Sequence, residues 1–371
     1  MAPGPQGIFM ADAGKKQDPR AEPGWLQRSR EECRSLPGVA AALAAVPDGE
    51  PRPAPVPGNG LAEEMRRRVL DMLQQQGVTA GPLEEYMATG YPGIRRAWEE
   101  VLQSCRDTAD PGERTALLAN AAGWSTGWFI HVPDGREPDL PLQVEAPAAG
   151  SGGIRRHLVV LGRGARADLV GGCLKSGSGR EADGVTTVLA GPGARLHYHY
   201  LRGREAAGTS RLLIVLGEGA QLTYSGCALV EQDGNRPGPV VHCLGRDCVV
   251  HLNELILAGT GTVTGWRLQT AEAGAARVEG QVLLLTAAGA NLDYHWQTDR
   301  SVLQQADFIA GGEGQVRLRG ADLRAGSDPV EDRVHRLAAG FPPEYMVEVL
   351  AAAGRFRTGG DLSDIAERKS R

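Results

Sequence analysis

One phrase returns along the chain. Gly191-Pro-Gly-Ala-Arg-Leu-His-Tyr198 is echoed by Gly217-Glu-Gly-Ala-Gln-Leu-Thr-Tyr224 and by Ala287-Ala-Gly-Ala-Asn-Leu-Asp-Tyr294, with a weaker copy first, Gly162-Arg-Gly-Ala-Arg-Ala-Asp-Leu169. Each copy is a turn followed by a strand whose apolar residues alternate. The turn glycines Gly162, Gly191, Gly217 and Gly245 are 29, 26 and 28 residues apart, and a half-step of about 14 follows Gly245. Self-similarity at this period is the mark of a solenoid. A strand rises about 3.3 Å per residue and neighbouring strands lie about 4.8 Å apart, so one repeat is the right length for one coil that closes the edge of the coil before it.

Each position of the phrase then has a role. Gly193, Gly219 and Gly289 take a backbone conformation that a Cβ disfavours. Ala194, Ala220 and Ala290 fill tight corners. Leu196, Leu222 and Leu292 stack as an interior ladder, and Tyr198, Tyr224 and Tyr294 share their parity. Arg195, His197, His199, Gln221, Thr223, Asn291, Asp293 and His295 are left for an outer face. A small β-sandwich competes with this reading, since short strands alone do not exclude it. Against it, aromatics are only 5% of the chain and 51 of 371 residues are glycine, which favours frequent tight turns.

The expected architecture is mainly β: a right-handed parallel β-helix core over 140–326, flanked by a helical N-terminal region over 21–135 and a short helical C-terminus and tail over 327–371. Residues 1–20 are expected to be disordered, and 47–59 form a Pro-rich linker. Leu61, Met65, Val69, Met72 and Leu73 fall on one face of a helix that ends at Gly77. A second helical region covers Leu83–Leu102, with a break or fresh first turn at Pro92. Two short amphipathic helices are expected at Pro329–Phe341 and Pro343–Arg355.

Apolar residues make up 42% of the chain, enough for a sizeable core. A net charge of −5 gives no reason to expect nucleic acid as a partner. Six cysteines in this length are not a disulfide framework, and no run of about 18 apolar residues indicates a membrane span. The first twenty residues lack the pattern of a secretory signal, so the expected compartment is the cytoplasm.

The order of parts, with particular phrases, resembles the SufB/SufD family of iron–sulfur cluster assembly proteins. The phrases are Glu22-PGWLQRSREECRSLP-Gly38, Ala167-DLVGGCLKSG-Ser178 and Gly184-VTTVLAGPGARLHYHYLRG-Arg204, and the likeness covers roughly 22–38 and 150–325. It implies a β-helix scaffold that is not an enzyme, a transient iron–sulfur cluster, a SufC-type ATPase partner and a second SufBD-like subunit, in a homo- or heterodimer paired through the β-helix edge. Two features depart from the family pattern. Val302-LQQADFIAGG-Glu313 has no cysteine where a late-coil cysteine is implied, and the C-terminal docking signature is not recognisable near Ser327-DPVEDRV-His335.

Cys173 lands on a position the family uses. Beside a Gly-Gly bend its thiolate is suited to binding iron or accepting sulfur, while a small buried hydrophobe is the competing role. The densest set of soft ligands is His242-CLGRDCVV-His251, which contains His242, Cys243, Cys248 and His251. Strand parity sets Cys248 and His251 on opposite faces, so a two-ligand half-site, completed by Cys227, is the most such a stretch offers, and plain core or surface residues are the competing reading. His197 and His199 share a face and form a candidate chelating pair, with exposed strand residues as the competing reading. His295 occupies the place of His199 in a later copy.

Catalytic alternatives lack their residues. No Gly-x-Ser-x-Gly elbow, Walker loop or dinucleotide fingerprint is placed between strand and helix. Asp168, Asp183, Glu254, Asp293 and Asp307 are scattered, and nothing selects the carboxylate pair of a carbohydrate-active β-helix. A β-solenoid interaction module without cluster chemistry is the second functional reading.

Overall fold

The computed structural model describes residues 22–44, 60–143, 154–173, 184–202, 210–230, 235–258, 261–270, 276–287, 289, 291–298, 302–312, 315–320, 323–324, 330–341, 346, 349–350 and 353. Its helices are α1 (Gly24–Ser35), α2 (Val39–Ala44), α3 (Gly60–Gln75), α4 (Leu83–Thr89), α5 (Ile94–Asp107), α6 (Pro111–Gly123) and α7 (Val330–Ala338). The break near Pro92 falls between α4 and α5, where Gly90 and Gly93 both have positive φ. The segments 1–20 and 47–59 and the expected second C-terminal helix lie wholly or mostly outside the described residues.

The strands are β1 (Thr79–Pro82), β2 (Trp128–Val132), β3 (Leu142–Gln143), β4 (Arg155–Leu161), β5 (Arg166–Cys173), β6 (Gly184–Ala190), β7 (Arg195–Arg202), β8 (Arg211–Leu216) and β9 (Gln221–Val230). They continue as β10 (Asn235–Pro237), β11 (Val240–Cys243), β12 (Cys248–Ala258), β13 (Gly261–Thr270), β14 (Ala276–Thr286), β15 (Asn291–Thr298), β16 (Val302–Gly312), β17 (Gln315–Arg319) and β18 (Leu323–Arg324).

Two sheets are built from alternate strands. The first runs β1-β2-β4-β6-β8-β11-β13-β15-β17 with β10 beside β13, and the second runs β3-β5-β7-β9-β12-β14-β16-β18. Among the described residues, every strand pair is parallel except β1 with β2. The chain therefore crosses from one sheet to the other and back, and each coil stacks on its predecessor. This is a parallel β-solenoid flattened to two facing sheets. A sandwich of hairpins and Greek keys would pair its strands antiparallel. The solenoid sheet begins before residue 140, because β2 already pairs with β4.

The repeated phrase is a corner. Gly193, Gly219 and Gly289 have φ of 67°, 64° and 73°, and Ala194 and Ala220 are fully buried behind the bend. At the next corner Asp247 takes the same left-handed conformation, φ 57°, which Asp tolerates better than most residues. Ala290 lies outside the described residues. Beyond the corner, Ala167, Leu196, Leu222, Val250 and Val278 stack in register through β5, β7, β9, β12 and β14, all within one buried core. Full burial of each large apolar side chain contributes about 1.5–3 kcal/mol, and the ladder repeats that gain at every coil.

Leu292 and Tyr294 are also buried in this core, but they enter it from the other side. The first two copies of the phrase turn from the first sheet into the second, whereas the third follows β14 and turns from the second sheet into the first. The three leucines line one interior without forming one ladder. The phrase encodes a left-handed bend, a small corner residue and an inward strand, and both edges of a flattened coil need those three things.

Each sheet's outer face is covered differently. On the first sheet, Leu158, Leu189, Leu213 and Val215 pack with Trp98 and Trp124 of the N-terminal helical region. The start of α6 is pinned there by charge. Asp110 accepts from the Glu113 amide at 2.7 Å as helix cap, and Arg267 reaches both Asp110 and Glu113 at 3.4 Å, while Arg211 is 2.9 Å from Glu113. On the second sheet, Leu201, Cys227, Leu255, Leu257 and Leu283 are covered by α7, Phe341, Val349 and Ala353. Among the described residues, no helix is long and apolar enough to cross a membrane.

Candidate metal centre

The outer face of the second sheet brings three ligand groups together at the edge of that apolar cover. Parallel register sets Asp168 of β5 directly opposite His197 of β7. Period-2 alternation returns His199 to the same face. One ligand atom from each of Asp168, His197 and His199 lies within 4.8 Å of the others. The imidazole centroids are 3.9 Å apart, and His197 Nδ1 is 3.8 Å from Asp168 Oδ1.

Burial rises across the group. Asp168 is exposed, His197 is half-buried, and His199 is only 3% exposed. The Phe341 ring lies 6.0 Å from that of His199. Gly340 crosses above the neighbouring strand so closely that a Cβ on it would stand 3.2 Å from Ser225 Oγ. Ser225 lies opposite His199 in register, and its hydroxyl is 3.2 Å from His197 Nε2. His199 Nδ1 is buried and has no hydrogen-bond partner.

Desolvation, reinforced by His197, pushes the His199 pKa down to about 3. Desolvation also lowers that of His197, with Asp168 opposing it. Both rings are therefore neutral at neutral pH, the form in which imidazole donates a lone pair to a metal. Two imidazoles and one carboxylate form a borderline-soft donor set, matched to zinc or ferrous iron and poorly matched to magnesium or calcium.

The other sequence-derived candidates do not join this group. Cys243 and Cys248 both point into the interior and meet each other across a corner, where their shared hydrogen bond, reinforced by burial, raises the Cys243 pKa while the same bond lowers that of Cys248. His242 has the opposite parity. It lies on the helix-covered outer face of the first sheet, where its Nε2 is 3.5 Å from Thr108 Oγ1. His251 is on the outer face of the second sheet, 3.0 Å from Glu279. Cys227 is buried in the apolar cover on that same face. His295 belongs to β15, so it sits on the sheet opposite His199 and pairs with Asp293 at 3.5 Å. Cys173 closes β5 opposite Arg202 in register, and its side chain lies outside the described residues.

The third ligand was present in the sequence as a repeat position. Asp168 occupies in the weak first copy the place that His197 occupies in the second, and stacked copies bring equivalent positions into contact.

Fold and site together define the class: a parallel β-solenoid with a two-histidine, one-carboxylate group on one outer face. No family model matches the chain, and no curated protein matches it either.

Proposed function

We propose that this chain is a SufBD-like, non-enzymatic scaffold component of iron–sulfur cluster assembly, acting within a complex. The observation that carries the reading is the order of parts: N-terminal helices, a long parallel β-solenoid, then a C-terminal helix, as the resemblance implies. In this proposal Cys173 contacts the nascent cluster, which is cargo. A SufC-type ATPase and a second SufBD-like subunit are the partners. The route for the second subunit is a solenoid edge: β17 ends its sheet among the described residues, and such an edge offers main-chain groups to another chain.

The experiment is anaerobic reconstitution with ferrous iron and sulfide, alone and with a co-expressed SufC-type ATPase. The wild type is expected to develop thiolate-to-iron charge-transfer absorption, and Cys173→Ala to lose most of it.

One observation favours the second reading, an interaction solenoid without cluster chemistry. Cys33, Cys105, Cys227, Cys243 and Cys248 are all buried. Burial raises the pKa of the Cys33 and Cys105 thiols and pushes that of Cys227 up to about 12. A thiol held protonated in this way is a poor iron ligand. A wild type that stays colourless both alone and with its partners decides for this reading.

A further inference from the structure

We propose that Asp168, His197 and His199 form a resident site for one divalent transition-metal ion of the zinc or ferrous class, with Ser225 as its positioning residue. The proposal does not rest on the iron–sulfur reading, since it needs neither sulfide nor thiolate.

The geometry is close to what an ion requires. Ligand atoms that share a tetrahedral ion at about 2.0–2.1 Å stand about 3.3 Å apart. His197 Nδ1 and Asp168 Oδ1 are 3.8 Å apart, and the whole set lies within 4.8 Å. Asp168 is exposed and can turn toward an ion, while the His199 ring is held beneath the C-terminal cover. Three protein ligands leave one tetrahedral position open on the solvent side, as in sites where a metal keeps a water or an exchangeable ligand.

Two further observations point to a ligand. The first is His199 Nδ1, a buried ring nitrogen without a hydrogen-bond partner. Burying such a group unpaired costs about 1–3 kcal/mol, and an ion bound at that nitrogen would satisfy it. The second is Ser225. With its proton on Nε2, His197 donates to the Ser225 hydroxyl at 3.2 Å, and the Nδ1 lone pair then faces Asp168. An outer hydrogen bond that sets tautomer and ring orientation is the usual partner of a metal-binding histidine.

The site also touches the C-terminal segment. Phe341 lies against His199, and Gly340 crosses above Ser225. An ion that fixes His199 therefore stiffens the strand surface on which this segment rests. Metal binding is expected to raise the melting temperature and to slow amide exchange around 334–341.

The test uses the untagged full-length chain, stripped with a chelator and titrated with Zn2+, then with Co2+ as a spectroscopic probe. One Zn2+ per chain is expected, together with visible d–d absorption from Co2+. His197→Ala and Asp168→Asn should each weaken Zn2+ binding by more than about 100-fold, a larger loss than that for an outer partner. Ser225→Ala should weaken it about 10- to 100-fold and change the Co2+ spectrum, which a purely structural role would not do. Asp168 is exposed, so Asp168→Asn should melt like the metal-free wild type and separate loss of a ligand from loss of fold. Wild type that takes up no stoichiometric Zn2+ overturns the proposal, as does an Asp168→Asn variant with wild-type affinity. The group is then a plain histidine–aspartate contact. Because no sulfide is added, neither result bears on cluster assembly.

Discussion

Gly280→Ala is expected to destabilise the solenoid by about 2–6 kcal/mol, two costs adding. Gly280 lies in the middle of β14, opposite Leu252 of β12 and Ala306 of β16, with φ of 132°. Holding an L-residue there costs about 1–3 kcal/mol. A Cβ would also overlap the Leu252 carbonyl, so the two strands must part, which adds about another 1–3 kcal/mol of overpacking. Each coil of a solenoid contacts only its neighbours, so the lesion separates the coils on either side of it. The C-terminal cover rests on Leu255 and Leu257 of β12 and on Leu283 of β14, and it should loosen with them. Urea denaturation followed by circular dichroism measures the effect. Glu218→Ala, at an exposed corner, should stay within about 0.5 kcal/mol of wild type. A Gly280→Ala chain as stable as the Glu218→Ala control would mean that β12 and β14 do not approach this closely.

Glu254→Gln is expected to stabilise the chain at alkaline pH. Glu254 points into the solenoid core, where its carboxylate accepts a hydrogen bond from Tyr294 at 2.8 Å. Desolvation overrides that bond and raises the Glu254 pKa from the ordinary 4.5 to about 7. The sign follows from which state holds the proton. Below about pH 4.5 the group is neutral in both the folded and unfolded chains and has no effect on stability. Between the two values the unfolded chain releases its proton while the folded chain keeps it. Stability then falls by about 1.4 kcal/mol per pH unit, and the loss levels off near 3 kcal/mol above pH 7. Glutamine keeps the acceptor for Tyr294 and carries no charge. The variant should therefore match wild type near pH 4.5 and exceed it by about 3 kcal/mol at pH 8, read from melts across that range. A variant whose stability parallels that of wild type at every pH would rule out a charged carboxylate in the core.

Both positions show which features can be read from a one-dimensional pattern. Gly280 lies inside a strand and outside every copy of the repeated phrase, so its role depends on the neighbouring coil. Glu254 reads as a polar break in an apolar run, and only the strand parity of Leu252 and Ile256, both in the core, turns it inward. The candidate site divides in the same way. The spacing of His197 and His199 puts them on one face wherever the strand lies. Asp168 joins them because β5 pairs with β7 in one particular register, and Ser225 because β9 pairs with β7 in another. The stretch His242–His251 shows the converse. Strand parity already separates Cys248 from His251, and a corner and two sheets send His242, the two thiols and His251 to three different places.

The sequence by itself determined that this chain coils. A corner of glycine and alanine followed by alternating leucine is a local instruction, because backbone sterics and side-chain alternation act within a few residues. Its recurrence at about one coil length leaves stacking as the way to bury those leucines. Tertiary structure alone decided which corner each copy occupies, which outer face each helical region covers, and how deeply His199 is buried. Those outcomes depend on contacts between segments far apart in the chain, and no local preference of the residues involved encodes them.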